Sequence, residues 1–148
     1  ALPFGDGAFD LLLATDVLEH VDDDAAALRE LRRVAAPGAL LLVTVPAHPR
    51  LWSEHDVALH HRRRYRRAEL LERVRGAGWD PVVVTWWNAF LLAPIAVARR
   101  VGRSSETPSR ANRLLDALLA IEARLVRSGT DLPAGVSLAL AAKADGEA

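Results

Sequence analysis

Seven consecutive residues, Phe9–Thr15 (FDLLLAT), are apolar on both alternating faces apart from Asp10, and the chain then turns polar at Asp16, Glu19 and His20. That pattern predicts an internal strand of a parallel sheet covered on both sides, with a polar loop leaving its carboxyl end. Asp22, Asp23 and Asp24 offer an N-cap and favourable charge to a helix start. Ala27, Leu28, Leu31, Val34 and Ala35 then recur at helical spacing, with Arg29, Glu30, Arg32 and Arg33 on the wet side. Pro37-Gly38 is expected to stop this helix, and residues 39–45 (ALLLVTV) to form a second buried strand. Strand, helix, strand with short links predicts a right-handed βαβ unit.

Residues 47–67 break the periodicity and predict a long irregular segment, a length usually reserved for function. Further elements are expected as a helix over 68–77, a strand over 81–86, helices over 89–101 and 112–126, and a strand over 136–142. Residues 102–109 (GRSSETPS) read as a linker. The fold class is α/β, a sheet with helices on its faces, in one domain spanning 1–148. Residues 47–67 form its cover loop and 89–127 a helical insertion before the last strand. An apolar strand so close to Ala1 wants neighbours on both edges, because a bare edge invites aggregation. The expectation is therefore that an amino-terminal half of the domain precedes these residues.

Composition narrows the chemistry. With no cysteine there is no thiolate metal site and no cysteine nucleophile. Zero net charge argues against a dedicated polyanion binder. All five histidines lie from His20 to His61, and Lys143 is the only lysine. No signal peptide or bilayer-length apolar run is visible, so a soluble, cytoplasmic protein is expected. Trp86, Trp87, Phe90, Leu91 and Leu92, followed by Arg99 and Arg100, suit packing on the sheet, an acceptor pocket or peripheral contact with a membrane surface.

The set Leu2-Pro3-Phe4, Asp6-Gly7, Phe9-Asp10, Asp16-Val17-Leu18-Glu19-His20 and Pro37-Gly38, in collinear spacing, resembles the middle of a class I S-adenosylmethionine-dependent methyltransferase of the type 11/12 group. LWSEHDVALHHRRRYRRAEL and LPAGVSLALAAKA extend the resemblance to Lys143. It implies a Rossmann-like seven-stranded sheet whose fourth to seventh strands are these four, the last inserted antiparallel between two others. It also implies S-adenosylmethionine as methyl donor, with Leu2, Pro3, Asp16, Val17 and Leu18 against the cofactor. The family's glycine-rich turn, E/D-x-G-x-G-x-G, and three strands are absent. Three strand–helix units amount to on the order of 80–100 residues at ~30 per βαβ repeat. Residues 1–148 alone are therefore expected to be inactive and to bind no cofactor.

If a hydroxyl accepts the methyl group, a base must take its proton, and histidine suits that near neutral pH. His20 and His61 are the candidate catalytic residues, with Asp56 as orienting partner. His55, Asp56, Arg64 and Tyr65 are the candidate contacts to a small-molecule acceptor. No metal centre is expected, since no second carboxylate–histidine cluster recurs at helical spacing. The competing reading of residues 60–67 is a binding module or inactive remnant using its arginines and Tyr65 for phosphorylated or nucleic-acid ligands, although a nucleic-acid partner is not expected. Arg63, Arg64 and Tyr65 equally suit pairing with carboxylates at the start of the helix over 68–77.

Overall fold

The computed structural model describes residues 1–93 and 111–145. Its elements are β1 (Phe9–Thr15), α1 (Asp24–Val34), β2 (Ala35–Pro46), α2 (Glu54–Ala58), α3 (Arg67–Gly76), β3 (Trp79–Trp87), α4 (Ala111–Arg127) and β4 (Ser137–Ala144). The four strands form one sheet in the order β1-β2-β4-β3. β1 runs parallel to β2, while β4 is antiparallel to both β2 and β3. The α/β class and the inserted antiparallel last strand are as expected.

The core lies on one face of this sheet. Leu12 and Ala14 of β1, Leu41, Val43 and Val45 of β2, and Leu138, Leu140 and Ala142 of β4 are buried against Leu28 and Val34 of α1 and Leu70 and Val74 of α3. Trp79 closes one end, its indole N–H donating to Leu28 O at 3.1 Å. Burial of this apolar surface is the main stabilising contribution, at about 25 cal/mol per Å².

The opposite face differs from expectation. β1 is the edge strand of the described sheet, and its alternate side chains are open to solvent. In the row Leu13, Leu42, Ala141, Val83 that the pairings align, Leu13 is 62%, Leu42 40% and Val83 52% exposed. The physical reason is simple: α1 and α3 both pack on the other side, and among the described residues nothing covers this one.

Element boundaries moved where glycine permits it. β2 starts at Ala35, four residues before the predicted strand, because Gly38 takes a left-handed conformation (φ 76°) that carries the chain through Pro37-Gly38 without ending pairing. The helix over 24–34 is capped by Asp23, whose carboxylate accepts the Ala26 N–H at 2.8 Å. Residues 47–67 are less irregular than predicted, holding a short helical turn (Pro49–Leu51), α2, and a bridge between Ala47 and Tyr65. Of the helix predicted over 89–101, residues 89–93 are helical, and the buried Glu122 of α4 accepts the Ala89 N–H there at 3.0 Å. The remainder, including Arg99, Arg100 and the linker over 102–109, lies outside the described residues. Gly135 backs onto β3 so closely that a Cβ would stand 2.4 Å from Trp87 O, so only glycine fits. Among the described residues, no helix is long and apolar enough to cross a membrane.

Candidate active site

The parallel strands β1, β2 and β3 all end at the same edge of the sheet, and each is followed by a non-glycine residue in left-handed conformation: Asp16 (φ 51°), His48 (φ 57°) and Asn88 (φ 59°). Such residues cost of order 1–3 kcal/mol each and gather where geometry serves function. Asp16 is held in place by β2, its N–H donating to Thr44 O at 2.9 Å. In open α/β sheets this carboxyl edge is where ligands bind.

A cleft of ≈ 420 Å³ opens beside β1, walled by Leu2, Leu13, Val17, Leu18, Val21 and Leu31. Glu30 also lines it, but its carboxylate is already occupied. Arg33 bonds it at 2.6 Å and the Leu2 N–H at 2.7 Å, and those two interactions hold Glu30 down at about 2. The cleft is therefore an apolar slot with little free polarity, suited to the flat face of a heterocycle and its attached alkyl chain.

Just past Leu18, a 3-10 turn (Leu18–His20) places two groups differently: Glu19 is fully buried, and His20 is exposed. Neither carboxylate oxygen of Glu19 has a hydrogen-bond partner. Burial is the first cause that pushes its pKa up to about 7, with the negative charge of Asp16 adding to it. The rings of His20 and His61 meet edge to face with centroids 4.9 Å apart.

Behind His61 stands a second buried carboxylate with the opposite surroundings. Asp56 Oδ1 accepts from Arg64 Nε at 2.7 Å and from His61 Nδ1 at 3.1 Å, and its Oδ2 accepts the Ser53 N–H at 2.9 Å. Burial pushes the Asp56 carboxyl up, but the hydrogen bonds from Arg64 and His61 outweigh it and hold it below the usual aspartate range. Arg64 is itself buried and completes its bonding on Ala47 O at 3.0 Å.

The arginines that follow bind the segment to the loop after β1. Arg62 N–H donates to Glu19 O at 2.6 Å, and Arg63 donates to Asp22 O at 2.6 Å and Val21 O at 3.1 Å. Tyr65 is fully buried, with its hydroxyl 2.6 Å from Asp24 Oδ2, and burial together with that carboxylate raises its pKa well above the ordinary phenol value. Asp24 is also paired with Arg63 and Arg73.

A sequence model of the family described as "Methyltransferase domain" matches residues 1–43, the span that contains β1, the cleft-lining residues and the Glu19–His20 turn. Norajmaline N-methyltransferase of Rauvolfia serpentina is 48% identical over 50 residues, 34% of this chain and 17% of its own length. The phosphoethanolamine N-methyltransferase 2 of Haemonchus contortus, solved in complex with S-adenosyl-L-methionine, superposes with a TM-score of 0.58 at 15% identity, covering 96% of this chain and 34% of that one. Residues 1–43 are thus similar to the methyltransferase family, and the fold is that of the class I methyltransferases. S-adenosylmethionine is the methyl donor that goes with that family. The [4+2]-cyclase SpnF also superposes, with a TM-score of 0.57 and 21% identity over 99% of this chain and 54% of its own. A shared fold thus leaves the chemistry open. The chain spans about half or less of the length of these relatives.

The predicted residues fall into two groups. Leu2, Val17 and Leu18 line the cleft, while Pro3 and Asp16 are exposed and lie outside its walls. The walls fit the apolar parts of the cofactor, but the only carboxylate lining the cleft among the described residues is already committed to Arg33, so the ribose hydroxyls find no free partner there. The rings of His20 and His61 come together, and His61 Nδ1 lies within hydrogen-bond distance of Asp56. Arg64 and Tyr65 point into the protein and pair with Asp56 and Asp24, and His55 is exposed on α2. Two geometric features carry no signal in the sequence. Glu19 is the unpartnered group at the centre of the cluster, and His48 stacks on Trp86 at 4.8 Å with its buried Nε2 unbonded.

Proposed function

We propose that this protein transfers a methyl group from S-adenosylmethionine to a small-molecule acceptor at the carboxyl edge of β1. The observation that carries this reading is the adjacency of two features: an apolar cleft lined by Leu2, Val17 and Leu18, and the Glu19, His20 and His61 cluster one residue further on. The cofactor supplies a methyl carbon already activated by its sulfonium, so the protein has to align, exclude water and manage a proton. Val17 and Leu18 supply apolar surface that excludes water. His61, with its Nδ1–H given to Asp56, keeps Nε2 as a lone pair for an acceptor's proton, and Asp56 stabilises the charge that results. His20 faces the same space from the solvent side.

The reading includes a further component: strand–helix units outside residues 1–148 that cover the Leu13, Leu42, Val83 face and complete the cofactor site. The bare face, the edge position of β1 and the missing ribose partner all support it. A binding module for phosphorylated ligands is the weaker alternative, because Arg63, Arg64 and Arg67 are committed to carboxylates and carbonyls of the chain itself. Calorimetry with S-adenosylhomocysteine tests the proposal in two arms. Residues 1–148 alone are expected to show no binding, and the chain extended by the coding sequence upstream of Ala1 is expected to bind. An extended chain that neither binds nor transfers a labelled methyl group to a panel of hydroxyl and amine acceptors would refute it.

A further inference from the structure

Glu19 poses the sharpest physical problem in the molecule. It is fully buried, and both of its carboxylate oxygens are without a hydrogen-bond donor. Buried carboxylates are ordinarily paired, hydrogen-bonded or bound to a cation, because isolation in a poorly polarisable medium is costly. The nearest cation by charge effect, Arg64, does not relieve it, since its guanidinium bonds are directed at Asp56 and Ala47 O. What does converge on Glu19 is a pair of imidazoles. One ligand atom from each of Glu19, His20 and His61 lies within 4.8 Å of the other two.

The wiring behind His61 strengthens the case. Asp56, held ionised by Arg64, is an acceptor only, so His61 Nδ1 carries the proton and Nε2 presents a lone pair. A histidine whose far nitrogen donates to a buried carboxylate is the usual arrangement of a metal-ligating imidazole. The two rings lie edge to face at 78° rather than stacked, which leaves their nitrogens accessible to a shared partner.

We propose that Glu19, His20 and His61 form a binding site for a divalent transition-metal cation, with Asp56 orienting His61 from behind. Two imidazoles and one carboxylate with open positions suit Zn²⁺, Mn²⁺ or Fe²⁺ better than Mg²⁺. Ligands at about 2.1 Å from one ion can stand at most about 4.2 Å apart, so the 4.8 Å spread must close slightly. His20, being exposed, is free to make that adjustment. An ion there lies next to Leu18 and hence to the cleft, where it would polarise an acceptor oxygen and the imidazoles would serve as ligands rather than bases. That role rests on the methyl-transfer reading; the binding of the ion does not.

The test uses the purified protein after chelator treatment, titrated with Zn²⁺ by calorimetry and with Co²⁺ by visible absorption. One equivalent per chain is expected, with d–d bands of a low-coordinate Co²⁺ site and much weaker binding of Mg²⁺. Glu19→Gln and His20→Gln are each expected to weaken Zn²⁺ binding by at least about tenfold. His60→Asn, on an exposed histidine outside the cluster, is expected to change nothing. Circular dichroism of each variant checks that the fold is retained; His20 is exposed, so its variant keeps the test valid even if Glu19→Gln fails to fold. Absence of binding overturns the proposal, and so does binding that survives either substitution in a folded variant. Metal binding without methyl transfer would count against the preceding reading only, and methyl transfer without metal binding against this one only.

Discussion

Asp56 and Glu19 are two carboxylates of the same small neighbourhood, both fully buried, and the chain treats them in opposite ways. Asp56 receives a guanidinium, an imidazole and a backbone N–H, and its carboxyl is held low. Glu19 receives no donor and its carboxyl is pushed up to about 7. The first arrangement is the way a fold fastens a loop. The second is destabilising unless a bound group completes it, and such departures from local consistency concentrate at functional sites. The arginine-rich segment, which looks from composition like a ligand-binding patch, belongs mainly to the fastening. The unpartnered carboxylate lies on the short turn it fastens.

Four substitutions or titrations would break or sharpen that contrast. Asp56→Ala leaves the buried Arg64 without its carboxylate and is expected to cost about 3–5 kcal/mol, read from the denaturant midpoint. Tyr65→Phe removes one bond from Asp24, which keeps Arg63 and Arg73, so a loss of about 1 kcal/mol is expected. Glu19→Gln in metal-free protein is expected to leave stability unchanged or to raise it, because no bond is lost and a buried charge disappears. A loss as large as that of Asp56→Ala would show that Glu19 is fastened after all. The effect at Glu30 is confined to acid pH. Its folded pKa of about 2 lies below the ordinary glutamate value of 4.5, so the stability it contributes is present above pH 4.5 and fades as pH falls toward 2. Glu30→Gln is expected to flatten the acid limb of the stability profile in that window.

Much of the architecture was legible in the alternation of apolar residues. The runs at 9–15 and 39–45 are strands, and the helical spacing from Ala27 to Val34 is α1. The antiparallel insertion of β4 came through the resemblance, since periodicity carries no information on strand order. The covered and bare faces of β1 were not separable, because Leu11, Leu12 and Leu13 are one residue type and burial depends on which side α1 packs. Within the site, Leu2, Val17, Leu18, His20 and His61 stood out in the sequence, but their grouping into a cleft wall and a ring pair depends on the fold. So does the isolation of Glu19. It arises from Tyr65 and the arginines some forty residues later folding over the turn and spending their donors elsewhere, on Asp24, Asp56, Asp22 O and Val21 O. His48 escaped for a similar reason, its partner Trp86 coming from a different strand end.

The central claim is that the cleft beside β1 receives the cofactor. It is tested most directly by measuring S-adenosylhomocysteine affinity of the chain extended by the coding sequence upstream of Ala1, with and without Val17→Asp, a charge placed on the exposed side chain in the cleft wall. Binding weakened by about tenfold or more, equivalent to about 1.4 kcal/mol, with the fold retained, is the predicted result. Affinity unchanged by that charge would contradict the account.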